Sequence, residues 1–207
     1  MKLHWSPRSP FVRKVMIVAH ERSVAGRIAL VRTRAETARP HAELMRDNPL
    51  SKIPTLLLDD GAVLYDSRVI CEYLDALDGA PKLFPRAPKA RLAALWRQAL
   101  GDGFLDLLVL DRHEKNRAQP SAQHLESAAV RKAAVLERLE REAQALTTTP
   151  FSIGHIAIGC ALSYLDFRYP DEDWRKSHRR IANWHAAFCA RPSARSTHPF
   201  DESPNTA

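Results

Sequence analysis

The stretch Asn48-Pro49-Leu50-Ser51-Lys52-Ile53-Pro54-Thr55-Leu56-Leu57-Leu58 decides how the chain is read. It joins the end of a short helix to an apolar strand entered through a proline. Proline cannot donate to a sheet ladder, so it belongs at the first residue of a strand or at an edge. The X-Pro bond is also the one peptide bond that takes the cis form at tolerable cost. A cis bond at Ile53-Pro54 would turn the Ile53 backbone outward, leaving its N–H and C=O for an extended, peptide-like ligand. An ordinary proline in a loop before a strand reads equally well from these residues alone.

Upstream, Lys2-Leu3-His4-Trp5 reads as a strand, and Ser6 to Pro10 as a turn. Phe11 to His20 is an amphipathic helix with Val12, Val15, Met16 and Ala19 on one face. Ser9 followed by Pro10 is a helix-start signal, because serine caps and proline suits the first helical position. Residues 27–31 give a second strand, parallel to the first because a helix separates them, and residues 40–47 a short helix. Downstream, Asp60-Gly61 turns the Thr55–Leu58 strand into a return strand at residues 62–65. Asp66-Ser67 then caps a helix running to about Leu77. The order βαβ, α, ββα predicts an α/β domain with a mixed four-stranded sheet over residues 1–77.

Residues 78–88 hold three prolines and a glycine and read as a linker, pinned to one domain by Leu83 and Phe84. Residues 89–207 read as an all-helical bundle. Helices are expected over 89–115, with a bend at Gly101 and Gly103, over 122–146, over 152–167 and over 174–190. The third of these is apolar on every side, which marks a helix buried among its neighbours. The tail from His198 lacks periodicity.

The net charge of +7 is spread, with 12 basic against 9 acidic residues in 1–77 and 19 against 15 in the remainder. That argues against nucleic acid as a partner, as no basic face stands out beyond Arg175, Lys176, Arg179 and Arg180. No run approaches the roughly 18 apolar residues of a membrane span. Cys71, Cys160 and Cys189 fall inside helical patterns, which suits reduced, packed thiols in the cytoplasm and no metal site.

Three positions carry chemistry. A serine at a helix start sets a hydroxyl beside free N–H groups and the positive end of a helix dipole, where an anion is stabilised. A hydrogen bond to a charged group contributes about 1.5–3 kcal/mol, enough to lower a ligand thiol's pKa by roughly one to three units from its usual 8.5. Ser9 is that candidate, with Ser6 a rival hydroxyl. Asp66 and Ser67 offer an acceptor and a donor side by side, as the head of an α-amino acid requires. Thiol at Ser9, peptide backbone at Ile53 and amino-acid head at Asp66-Ser67 are together the requirements of glutathione.

At this point the chain resembles the bacterial cytosolic glutathione S-transferase family. The resemblance rests on Ser-Pro-Phe-Val-Arg-Lys at 9–14, Asn-Pro-Leu-Ser-Lys-Ile-Pro-Thr-Leu at 48–56, Asp-Ser-Arg-Val-Ile-Cys-Glu-Tyr-Leu at 66–74 and Ile-Ala-Ile-Gly-Cys-Ala-Leu-Ser-Tyr-Leu-Asp-Phe at 156–167. It implies a thioredoxin-like N-terminal domain, an all-helical C-terminal domain, a homodimer and an active site between the domains. It also implies Ser9 as the thiolate-stabilising serine, glutathione held by Lys52, Ile53, Pro54, Asp66 and Ser67, and no cofactor beyond glutathione as co-substrate. Lys52 is either a partner for the glycyl carboxylate or a solvated loop lysine. Ser9 and Val12 stand where thioredoxin-like proteins carry their redox cysteines, which rules out dithiol chemistry there. A second substrate, an apolar electrophile, is expected against Trp5, Arg8, Phe11, Phe104, Leu108 and Arg112. Another glutathione-dependent reaction (lyase, isomerase or peroxidase) or a non-catalytic regulatory protein is possible on the same scaffold. One departure stands out. The family's buried helix begins with a Ser/Thr-x-x-Asp capping box, and here Ser152-Ile153-Gly154-His155 puts histidine in the aspartate's place. Ser152 can still cap, but the reciprocal acceptor is lost or replaced by a neutral imidazole, and the expected consequence is a weakened second domain that His155→Asp would stabilise.

Overall fold

The computed structural model describes residues 1–36, 38–77 and 83–202. They form two compact units, Met1–Phe84 joined by the segment from Pro192 onward, and Pro85–Arg191.

The first unit is built on a mixed four-stranded sheet of order β2-β1-β3-β4. Strand β1 (Lys2–Trp5) pairs parallel with β2 (Ala29–Arg32), the register setting Trp5 opposite Arg32. Helix α1 (Pro10–Glu21) and a 3-10 turn at Ala25–Arg27 make the crossover. The chain then passes through the short helix α2 (Ala42–Asp47) into β3 (Thr55–Leu57), antiparallel to β1 with His4 opposite Thr55. Gly61, at φ +88°, closes the hairpin to β4 (Val63–Leu64), a left-handed conformation that glycine adopts without steric cost. Helix α3 (Ser67–Ala76) follows and packs on α1. Leu3, Val15, Ile17, Leu56, Ile70 and Leu74 have no exposed surface and form the core.

A buried ion pair ties this unit together. Arg22, at the carboxyl end of α1, has Nε 3.1 Å from Asp75 Oδ1. The Asp75 carboxylate also accepts the N–H groups of Leu83 (2.9 Å) and Phe84 (3.0 Å). Leu83 and Phe84 thus belong to the first unit; residues 78–82 of the linker lie outside the described residues. The helical domain read from sequence as 89–207 needs correction at its far end. Helix α8 (Pro192–Ser196) packs on α1, where Arg13 Nη2 donates to the Ala194 carbonyl (3.3 Å) and Ser193 Oγ to Glu21 Oε1 (2.5 Å). These non-local partners draw the C-terminal segment to the sheet unit, and nothing in its own residues announces them.

In the second unit, α4 (Pro88–Lys115) runs unbroken through Gly101 and Gly103, where the sequence suggested a bend. Gly101 serves close packing instead: a Cβ there would lie 2.6 Å from the Ala157 backbone of α6 (Ile153–Arg168). Every residue of α6 from Ile153 to Leu165 is buried, as its all-round apolar pattern required. Helix α5 (Ala122–Thr148) packs on α4 and on α7 (Arg179–Cys189). Helix α7 begins five residues later than read from sequence, because Glu140 of α5 reaches over to accept the N–H groups of Arg180 (3.2 Å) and Ile181 (3.0 Å). Trp174, assigned from sequence to that helix, instead donates its indole N–H to Asp166 (2.9 Å).

At the start of α6 the neutral imidazole replaces the aspartate as acceptor and completes the capping box. His155 Nδ1 accepts the Ser152 N–H (3.2 Å), while Nε2–H donates to the Leu146 carbonyl at the end of α5 (3.1 Å). Imidazole therefore fills the aspartate's place as acceptor and adds a donor that aspartate lacks. Burial above all, then the charges of Arg97 and Arg191, push the His155 pKa down to about 4, so the ring is neutral at pH 7. No helix among the described residues is long and apolar enough to cross a membrane, and no metal-binding cluster is found among them.

Candidate functional site

The sheet register brings the three stations to one edge of the first unit. Strand β1 ends at Trp5 and leads through residues 6–9 into α1. Thr55, opposite His4, starts β3, so Ile53 and Pro54 lie beside the end of β1. Strand β4 runs antiparallel to β3 and ends beside the same edge, where Tyr65 and Asp66 follow Leu64. Ser9, Ile53 and Asp66 thus follow one another in strand order β1-β3-β4. Neighbouring strands are spaced by about 4.8 Å, so the outer two stations are separated by about 10 Å, the length of an extended tripeptide.

Ser9 is the N-cap of α1. Its Oγ accepts the Val12 N–H (3.3 Å), its C=O the Arg13 N–H (3.0 Å), and its own N–H goes to the Ser6 carbonyl (3.2 Å). The cap uses a lone pair of the hydroxyl and leaves its hydrogen to a ligand. Pro10 occupies the first helical position and no acid stands in the first turn, so the positive end of the helix is not neutralised from within. Ser9 is half-buried; Ser6 is buried, its Oγ 3.4 Å from the Arg8 N–H.

Ile53-Pro54 is cis. Among the described residues, the Ile53 N–H and C=O have no partner in the backbone hydrogen-bond pattern. The loop presenting them is held by two residues that sequence reading passed over. Asn48, 1% exposed, donates from Nδ2 to the Lys52 carbonyl (3.1 Å) and to Thr55 Oγ1 (2.9 Å), and accepts the Leu50 N–H (3.0 Å). Thr55 Oγ1 donates to the same Lys52 carbonyl (2.9 Å). Their signal was an asparagine and a threonine bracketing the loop, each able to bond backbone locally. The Lys52 side chain is exposed.

Asp66 is the N-cap of α3, accepting the Arg68 N–H at 2.9 Å, and its side chain is exposed. The Tyr65-Asp66 bond is also cis. Ser67 is 2% exposed, so its hydroxyl can meet a ligand only at the floor of a recess. Of the residues assigned to a second substrate, Trp5, Arg8 and Phe11 are half-buried in the first unit. Phe104 and Leu108, 1% and 0% exposed, are core side chains of the helical unit, because their face of α4 is covered by packing. Arg112 is half-buried, and its charge acts on Tyr164, whose hydroxyl burial holds above its ordinary pKa.

A mixed sheet ending in an anion-favouring helix start, a presented backbone and an acidic cap, followed by a helical unit, defines a two-unit protein of thioredoxin-like and all-helical architecture. Residues 8–77 match the N-terminal domain and residues 122–187 the C-terminal domain of glutathione S-transferases. A glutathione transferase family member from Pseudomonas fluorescens, solved with bound glutathione, is 42% identical over 97% of this chain and 99% of that one, with a TM-score of 0.92. A second structure from that organism, carrying S-(propanoic acid)-glutathione, is 40% identical over 96% and 99%, with a TM-score of 0.88. The uncharacterized GST-like protein YibF of Escherichia coli is 32% identical over 84% of this chain and 86% of its own length. The chain belongs to the glutathione S-transferase family.

Proposed function

We propose that the protein is a glutathione transferase, in which Ser9 donates its free hydroxyl hydrogen to the glutathione sulfur and stabilises the thiolate. The observation that carries the reading is the Ser9 cap, an uncommitted O–H at the unneutralised start of α1. Ile53 would pair with the cysteinyl backbone, with Pro54 packed beneath it. Asp66 and Ser67 would take the γ-glutamyl ammonium and carboxylate, and Lys52 the glycyl carboxylate. The burial of Ser6 favours Ser9 as the donor. The thiolate then attacks an electrophilic carbon, and the gain comes from its formation at neutral pH and from holding two reactants together. Glutathione bound in one Pseudomonas structure, and S-(propanoic acid)-glutathione in the other, support the ligand. A homodimer in the cytoplasm that detoxifies electrophiles, with no cofactor beyond glutathione, completes the proposal.

The test is retention on immobilised glutathione, then turnover of an aryl halide by wild type and Ser9→Ala. Wild type should bind and turn over, and Ser9→Ala should bind and lose turnover. Failure to retain the wild type would overturn the reading; full activity in Ser9→Ala would transfer the role to Ser6 or a backbone N–H.

A further inference from the structure

Strand order sets a direction on the proposed site. The amino-acid head lies toward β4, and the thiol station at the end of β1 is flanked on its other side by the end of β2. On that side two arginines converge on the C-terminal segment. Arg8, immediately before Ser9, has Nε 3.1 Å from Asp201 Oδ1 and donates from Nη2 to the Glu202 carbonyl (3.4 Å). Arg32 ends β2 opposite Trp5; its Nε and Nη2 grip the two oxygens of the Glu202 carboxylate, and its Nη1 donates to the Thr33 carbonyl (3.1 Å). Burial, followed by the positive charges of Arg8 and Arg34, lowers the Arg32 pKa. Arg34 has its own partner in Glu36 at 2.6 Å.

Two guanidinium groups brought together repel, and a planar carboxylate gripped by two parallel N–H groups is the ligand an arginine fork fits best. The acids that meet this demand lie in a segment without regular secondary structure, after the last helix. Arg8, Arg32 and Asp201 remain partly open to water. Such pairs are weak enough to exchange for another carboxylate.

We propose that Arg8 and Arg32 form a carboxylate-binding pair beside Ser9, held by the chain's own Asp201 and Glu202 until a carboxylate-bearing electrophile displaces them. The inference rests on the transferase reading above, and it replaces the apolar electrophile expected from sequence with an anionic one. Arg8 and Arg32 then select the substrate, and the tail is a tethered competitor.

The test uses the full chain with saturating glutathione and two matched substrates, 4-chloro-3-nitrobenzoate and its neutral amide. In each, sulfur bonds to the ring carbon bearing chlorine, and chloride leaves with the bonding electron pair. Wild type should favour the benzoate in kcat/KM. D201N/E202Q should raise the benzoate-to-amide ratio by about three- to tenfold through a lower benzoate KM, and added salt should reduce the ratio. R8Q and R32Q should erase the preference. A ratio near one in wild type that D201N/E202Q does not move would overturn the proposal, as would a KM lowered equally for both substrates. Calorimetric titration with 3-nitrobenzoate and 3-nitrobenzamide, without glutathione, separates the two readings. Selective benzoate binding without turnover of either chloride would sustain the carboxylate site while sinking the transferase. Turnover without selectivity would do the reverse.

Discussion

Among the helices that start at a serine, α1 and α6 have opposite fates. At α1, Ser9 is half-buried, its N–H is satisfied by the Ser6 carbonyl, and nothing in the first turn answers its hydroxyl hydrogen. At α6, Ser152 is 4% exposed and faces His155, whose Nδ1 lies 3.2 Å from its N and 2.9 Å from its Oγ. The second start is sealed and the first left open. A serine cap is chemically available only where the third helical position supplies no partner, and Val12 supplies none. The same local signal therefore marks a candidate ligand site in one unit and a structural clamp in the other.

The comparison breaks most easily at the clamp. His155→Ala should cost about 3 kcal/mol, because it orphans the Leu146 carbonyl and the Ser152 N–H in a buried place and leaves a cavity. Urea unfolding of the full chain measures it, and a loss under about 1 kcal/mol would place the clamp elsewhere. A related effect is visible in pH. The folded pKa of His155, about 4, lies below the ordinary 6.5. Between those values the unfolded chain binds the extra proton, so this group's contribution is complete above pH 6.5 and is lost as pH falls toward 4. The full difference corresponds to at most roughly 3 kcal/mol. His155→Gln keeps an acceptor and a donor without the titration; its stability should fall less steeply than wild type's over that window, and parallel curves would rule out His155 as the source.

The open start is tested by activity. Ser9→Ala should lower kcat/KM for an aryl halide by about 10- to 100-fold, the worth of one hydrogen bond to a charged sulfur. It should cost about 1 kcal/mol or less of stability as a lost cap. A variant that melts far lower while keeping its turnover would make Ser9 a second clamp. The smallest change at the clamp should be His155→Asp, about 1–2 kcal/mol destabilising, because aspartate restores the acceptor and loses the Nε2–H bond to Leu146. A raised melting temperature would restore the reading of His155 as a defect.

The architecture was legible wherever a local pattern has one physical solution. The apolar face of α1, the Asp60-Gly61 turn and the all-round apolar α6 named their elements because periodicity reports burial directly. The late start of α7 was hidden, since Glu140 is far away in sequence and its reach depends on how α5 and α7 pack. In the candidate site, Ser9, Ile53 and Asp66 were legible as caps and a strand entrance, whereas Phe104 and Leu108 were not separable from core residues by type. Asn48 was passed over because its partners, Lys52 and Thr55, matter only once the loop has closed.

By itself, then, the sequence determined the two helix caps, the proline that opens β3 and the buried axis of the helical unit. Each follows from steric and hydrogen-bonding rules acting within a few residues. The tertiary structure decided that β2, β1, β3 and β4 line up their ends on one edge, that the segment after Pro192 returns to the sheet unit, and that Arg8 and Arg32 meet Asp201 and Glu202. Those pairings join residues up to 194 positions apart, from Arg8 to Glu202. No local preference encodes them, because burial and charge select them only when the whole chain has folded.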